Sequence, residues 1–138
     1  MQEDLERVVS FIEQHHVMSL ATTFASELSV CSLFYVFDVA TLSFVVASAE
    51  STQHIAHILQ NNSVAGNIVL ETKKIGEIKG LQFQGNFLHN PSLRLKASYF
   101  KRFPYAVAMN PTLWQIKLCS VKLTDNSLGF AKKIILSF

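Results

Sequence analysis

The sequence predicts a small α+β barrel, mainly β, and three observations carry that expectation. Runs of β-branched and aromatic residues recur at short intervals from residue 17 onward. Helical spacing of apolar residues is confined to the start of the chain and to the connections. The last long apolar run, "LWQIKLCSVKLT", sets Trp114, Ile116 and Leu118 on one parity and Val121 and Leu123 on the other. A parity switch within one strand calls for a bulge near Cys119 and Ser120, as where a barrel turns a corner.

The elements follow in order. Leu5, Val8, Val9 and Ile12 predict an amphipathic helix over residues 3–15. "VMSLATTFA" and "LSVCSLFYVFD" are strands joined by a tight reversal at "SE", and "TLSFVVAS" is a third after a turn at Asp38 to Thr41. This meander is apolar on both faces in places. A short helix over 51–60 precedes "SVAGNIVLE", the fourth strand. The fifth, "LQFQGNFLH", alternates cleanly, with Leu81, Phe83 and Phe87 on one face and Gln82, Gln84 and Asn86 on the other. Asn90 as cap and Pro91 in the first turn start a helix that Pro104 stops after Phe103, with Lys101 and Arg102 suiting its negative end. "LWQIKLCSVKLT" is the sixth strand. No repeat, linker or low-complexity tract interrupts the chain, so residues 1–138 read as a single domain.

The 138 residues are enough for one sizeable core, and hydrophobic residues at 49% against 16% charged make the chain apolar for a lone small domain. That excess points to surface buried against a second subunit. "MQEDLERVV" lacks the basic-then-apolar order of a signal peptide, and Glu27, Asp38 and Glu50 interrupt every apolar stretch that approaches a spanning length. A soluble cytoplasmic protein, with no membrane contact, is the reading. Cys31 and Cys119 belong to no paired motif and each sits in a strand-like run, so both are expected as reduced core residues. Charge is uneven: residues 1–60 carry seven acids and one base, residues 61–138 three acids and eleven bases. The bases are scattered and not interleaved with aromatics on one face, which argues against nucleic acid and for a solvated face with one anionic small ligand.

Familiar catalytic signatures are absent: the five glycines form neither a dinucleotide fingerprint nor a phosphate loop, and no serine or cysteine has a nucleophile pattern. No catalytic residue is therefore assigned. His54 and His57, at i, i+3, lack a third ligand nearby, so no metal site is expected and both read as partly exposed helix residues. The stretch "FVVASAESTQHIAHILQNN" is more informative. Its strand passes into its helix through Ser48, Ser51 and Thr52, with no glycine or proline. A helix N-terminus offers unpaired N–H groups and partial positive charge to a phosphate. Capping needs one hydroxyl, and this corner has three.

A strand meander leading through Ser/Thr into a short helix, together with "FYVFD", "GLQFQG", "FKRFP" and "WQIKLCSVKLTDNSLGFAKK", resembles the flavin-binding split barrel of the pyridoxamine-phosphate-oxidase-like superfamily. The closing segments are similar to a small, mostly uncharacterised bacterial branch of it. The resemblance implies a six-stranded antiparallel split β-barrel with two or three peripheral helices, forming a homodimer with FMN in grooves between subunits. It assigns the FMN phosphate to Ser48, Ser51, Thr52, Gln53 and His54, and the isoalloxazine to Ser32, Leu33 and Phe34, partly through backbone groups. Gln82 and Trp114 would be the polar and aromatic contributions of the other subunit, and Lys132 a cation near the C-terminus. The sequence departs from the superfamily where an Arg or Lys commonly neutralises the phosphate; Gln53 and His54 stand there. The implied function is a flavin-dependent oxidoreductase of unknown substrate. A pyridoxamine-phosphate oxidase proper is not expected, because the chain is short and lacks a second basic cluster. The alternative is a non-catalytic flavin- or haem-binding protein, with His54 or His89 as haem ligand.

Overall fold

Seven strands and four α-helices make up the computed structural model, which describes residues 2–138; Met1, the first residue of the expected single-domain span, lies outside them. The order is α1 (Gln2–Gln14), β1 (Val17–Phe24), β2 (Glu27–Asp38), β3 (Ser43–Ala47), α2 (Gln53–Gln60), β4 (Ser63–Val69), β5 (Lys79–His89), α3 (Leu93–Arg102), α4 (Ala106–Met109), β6 (Leu113–Asp125) and β7 (Lys133–Ser137). All pairings are antiparallel, in the order β3-β2-β1-β4-β5-β6-β7. A further pairing of β3 with β6 closes the first six strands into a barrel. The six expected strands are thus the barrel itself. The seventh, unforeseen, adds to the outside of β6.

β6 does this by changing neighbour along its length. Its first half, through Lys117, pairs with β3, and its second half, from Ser120, pairs with β7. On the β5 side, Gln84 faces Ser120 while Gly85 faces Leu118, leaving Cys119 as the extra residue of a bulge. The parity switch in the sequence is this bulge. It corrects the expectation for Cys119, whose side chain stands exposed on the bulge instead of in the core; Cys31 is half-buried.

Inward-facing residues of every barrel strand meet in one core, including Leu20, Phe44, Ile68, Leu81, Phe83 and Leu123. Val8, Phe11 and Ile12 of α1 join it, and Tyr35 Oη donates to the Ile12 carbonyl (2.6 Å) to fix that helix. β3 is buried on both faces: Phe44 and Val46 point into the barrel, and Val45 packs with Leu95, Tyr99 and Leu113 beneath α3. α3 is capped by Ser92, whose Oγ accepts from Leu95 N–H (3.3 Å), and not by Asn90, which adopts φ 57°. Among the described residues no helix is long and apolar enough to cross a membrane.

Candidate functional site

The strand-to-helix corner follows directly from β3. Tyr35 of β2 pairs with Val46, and Ala47 pairs with Leu113 of β6, so β3 ends between the middle of β2 and the start of β6. Two contacts fix the next residue: Ser48 N–H donates to the Thr112 carbonyl (3.0 Å), and Trp114 Nε1–H donates to the Ser48 carbonyl (2.9 Å). Ser32, Leu33 and Phe34 immediately precede the residue that pairs with β3. They pair with β1 and lie just before the β3-paired part of β2, with Ser32 and Phe34 exposed and Leu33 half-buried.

The hydroxyls do not cap the helix. Thr52 occupies the N-cap position of α2, but its side chain makes no capping hydrogen bond. It donates backwards to the Ala49 carbonyl (2.9 Å). The first helical hydrogen bond runs from Ala56 N–H to the Thr52 carbonyl (3.1 Å), and among the described residues nothing accepts from the N–H groups of Gln53, His54 or Ile55. Three donors at the positive end of a helix stand free, with the exposed Ser51 hydroxyl beside them.

His54 and His57 correct the expectation of partly exposed histidines: they are 8% and 3% exposed. His54 Nε2 hydrogen-bonds Ser48 Oγ and lies 3.3 Å from Thr52 Oγ1. Burial, and secondarily the neighbouring His57, push the His54 pKa below its ordinary value. His57 Nδ1 meets Thr22 Oγ1 of β1 (3.1 Å), and its Nε2 faces the Gln53 amide (3.0 Å), which also donates to Glu27 Oε2 of β2 (3.1 Å). This chain of bonds runs from Glu27 through Gln53 and His57 to the top of β1 and locks α2 in place. Among the described residues no group of three or more His, Cys, Asp or Glu side chains gathers for a metal.

The remaining expected residues lie elsewhere. Gln82 is exposed at mid-sheet, between Asn67 of β4 and Lys122 of β6. It lines a groove of about 610 Å³ on the outer face of the sheet with Ser19, Val30, Asn67, Lys122 and Ile135. Apolar side chains continue along that face: Leu28 is 84% and Val30 74% exposed. Trp114 is 2% exposed, packed on Phe87 and His89 of its own chain, so its ring acts as a strut under the corner and is not presented outward. Lys132 precedes β7 beyond the far end of β6. One chain thus separates it from the corner by roughly 35–40 Å of strand contour. What sequence reasoning missed is the Trp114 bond to Ser48, for which a tryptophan in an alternating strand gives no signal.

No family model matches the chain. In fold, it is similar to a FAD-binding protein from Mesorhizobium loti (TM-score 0.71, 14% identity, 86% of this chain and 90% of that one). It is similar also to the haem storage protein from Vibrio cholerae (TM-score 0.67, 17% identity, 83% and 89%). A third is a pyridoxamine 5'-phosphate oxidase-like protein from Listeria innocua (TM-score 0.65, 12% identity, 86% and 95%). The architecture is that of the split barrels. In sequence, UPF0306 proteins from Photorhabdus laumondii and Serratia proteamaculans are 33% and 34% identical over 96% of this chain and 94% of theirs. With identity of that order along nearly its whole length, the chain belongs to the UPF0306 family.

Proposed function

We propose that the protein binds FMN at the interface of a homodimer and acts as a flavin-dependent oxidoreductase. The observation that carries this reading is the uncapped start of α2, where three hydroxyl residues accompany three backbone N–H groups with no acceptor among the described residues. The donor set suits a phosphate monoester in hydrogen-bonding chemistry, since oxygens of that group accept several N–H and O–H bonds at a helix N-terminus. Ser32, Leu33 and Phe34 lie on β2 just before its pairing with β3, the strand that leads into the corner, and would be the residues that hold an isoalloxazine. The outer groove carries Gln82 and exposed apolar residues, which suit the face a partner subunit would cover. Lys132 would reach a phosphate only from that partner subunit. FAD-binding and oxidase-like proteins of the same fold add support.

Bound FMN would supply the electron transfer, and the chain would position it and exclude water. The corner holds the phosphate end, Trp114 keeps the corner rigid, and the β2 edge offers backbone groups to the ring. No side chain is required as acid or base.

A purified chain showing the two visible bands of oxidised flavin, or acquiring them with added FMN, supports the reading; a colourless protein that takes up no FMN overturns it. A Soret band would favour the haem alternative, which the geometry serves less well because Ser48 engages His54 and the His89 ring packs on Trp114. Ser48→Ala with Ser51→Ala should weaken FMN binding by about 1–3 kcal/mol, read by flavin fluorescence titration, from lost phosphate hydrogen bonds. Riboflavin binding should not change.

A further inference from the structure

Among the described residues the corner offers hydrogen bonds but no fixed cation, and a phosphate dianion needs charge as well as donors. His54 is the ionisable side chain that touches two of the three hydroxyls, through Nε2. Counting hydrogens limits what those contacts can be. The Thr52 hydroxyl proton is committed to the Ala49 carbonyl (2.9 Å), so the 3.3 Å contact with Nε2 is a hydrogen bond only if the ring nitrogen donates. The Ser48 hydroxyl has one proton. If Nε2 accepts, that proton points at the ring and Ser48 has nothing to offer a ligand. If Nε2–H donates, Ser48 Oγ is held by the ring and its own proton is free to turn outward.

We propose, resting on the FMN reading above, that docking of the phosphate on this corner draws one proton onto His54, whose imidazolium then holds Ser48 in place as a donor to the phosphate. The same step adds the missing positive charge, one hydroxyl removed from the anion. A buried cation is favourable only with a partner of opposite sign. Without ligand, the groups facing α2 hold His54 neutral. Burial penalises the charged ring, and His57 lies one turn further along the same helix. β1 presents Thr22 to His57 and no charge, while Glu27 of β2 is 3.7 Å from His57 Nε2 and 71% exposed, engaging Gln53 and His57 rather than His54. β6 presents Trp114, bonded to the Ser48 carbonyl, and the corner's own Glu50 is exposed. A dianion arriving next to Ser48 reverses the balance that keeps the proton off.

Calorimetric titration of the full chain with FMN at pH 7, in buffers of different ionisation enthalpy, counts the protons. Near pH 7 the phosphate is mostly dianionic, its second pKa being about 6. Between about 0.5 and 1 proton should be taken up per FMN bound, with affinity rising by up to about tenfold from pH 8 to pH 7. Riboflavin, which lacks the phosphate, should bind without proton uptake. His54→Gln should bind FMN more weakly, with no uptake and a flat pH dependence. FMN binding by the wild-type chain without proton uptake, or uptake equal with riboflavin, overturns the proposal while leaving the FMN reading intact. Those two wild-type titrations decide the matter even where the variant fails to fold. A neutral ring with its hydrogen on Nε2 would orient Ser48 equally well and would give that zero count. If neither flavin binds, the functional reading falls and this inference with it.

Discussion

Thr52 stands where a capping residue is expected, yet its proton goes to the carbonyl of Ala49 and the helix behind it begins uncapped. Three hydroxyls on the corner were visible in the sequence; that none of them caps α2 was not, because capping depends on rotamers that neighbouring atoms decide. Trp114 is the neighbour that matters most. Its indole N–H satisfies the Ser48 carbonyl from 66 residues away, and no local pattern encodes a bond of that span. Trp114→Phe keeps most of the packing and removes that donor. It should lower unfolding free energy by about 1–3 kcal/mol in denaturant titrations, from an unsatisfied carbonyl and a small cavity. It should also loosen FMN binding, since Ser48 loses its anchor.

Among the elements, β6 was the best read and β7 the worst. The parity switch at Cys119 announced the bulge because a period-2 pattern cannot change face without an inserted residue. "KIILS" escaped notice because five residues with two inward side chains, Ile134 and Leu136, give a period too short to distinguish from a tail. The bulge has a second requirement. A Cβ on Gly85 would lie 2.6 Å from the Lys117 carbonyl oxygen and 3.1 Å from Ile116 Cγ2, and the first of these is backbone that cannot swing aside. Gly85→Ala should therefore cost about 1–3 kcal/mol of stability by thermal or chemical denaturation, as overpacking does. Gly76→Ala, where nothing lies within 4 Å, should not. The α2 histidines were misjudged for a related reason. Their i, i+3 spacing says they share a face, while only the docking of α2 on β1 and β2 says that the face is buried.

At the scale of the molecule, the apolar composition pointed to a covered surface, and the exposed row of Leu28, Val30 and Ile135 beside Gln82 is where the proposed homodimer would cover it. Val30→Asp should shift sedimentation from dimer to monomer and weaken FMN uptake together, with the monomer still folded. Acid stability reports on another long-range tie. Arg94 of α3 forks onto Asp38 at the end of β2 (2.6 and 3.1 Å), and this hydrogen-bonded guanidinium, aided by Thr41, holds the Asp38 carboxyl down at about 2. A depressed carboxylate stabilises the fold above its unfolded value near 4 and loses that contribution as pH falls towards 2. Melting temperatures should fall over that window, and Arg94→Ala should flatten the fall. His54 acts on a higher window: its lowered pKa makes the unfolded chain the better proton acceptor, so stability should begin to drop as pH falls below about 6.5.

The pairing of β3 with β6 has a consequence in time. Residues 43–47 close the barrel against residues 113–117, and Trp114 completes the corner from the same late segment. During synthesis, α1, the three-strand meander and α2 emerge first and wait, with β3 not yet paired to β6, until most of the chain has followed. Loop closure of that length is slow, and the nascent strand edge is exposed meanwhile. The rate at which the chain shuts its barrel is then also the rate at which the proposed phosphate corner is completed.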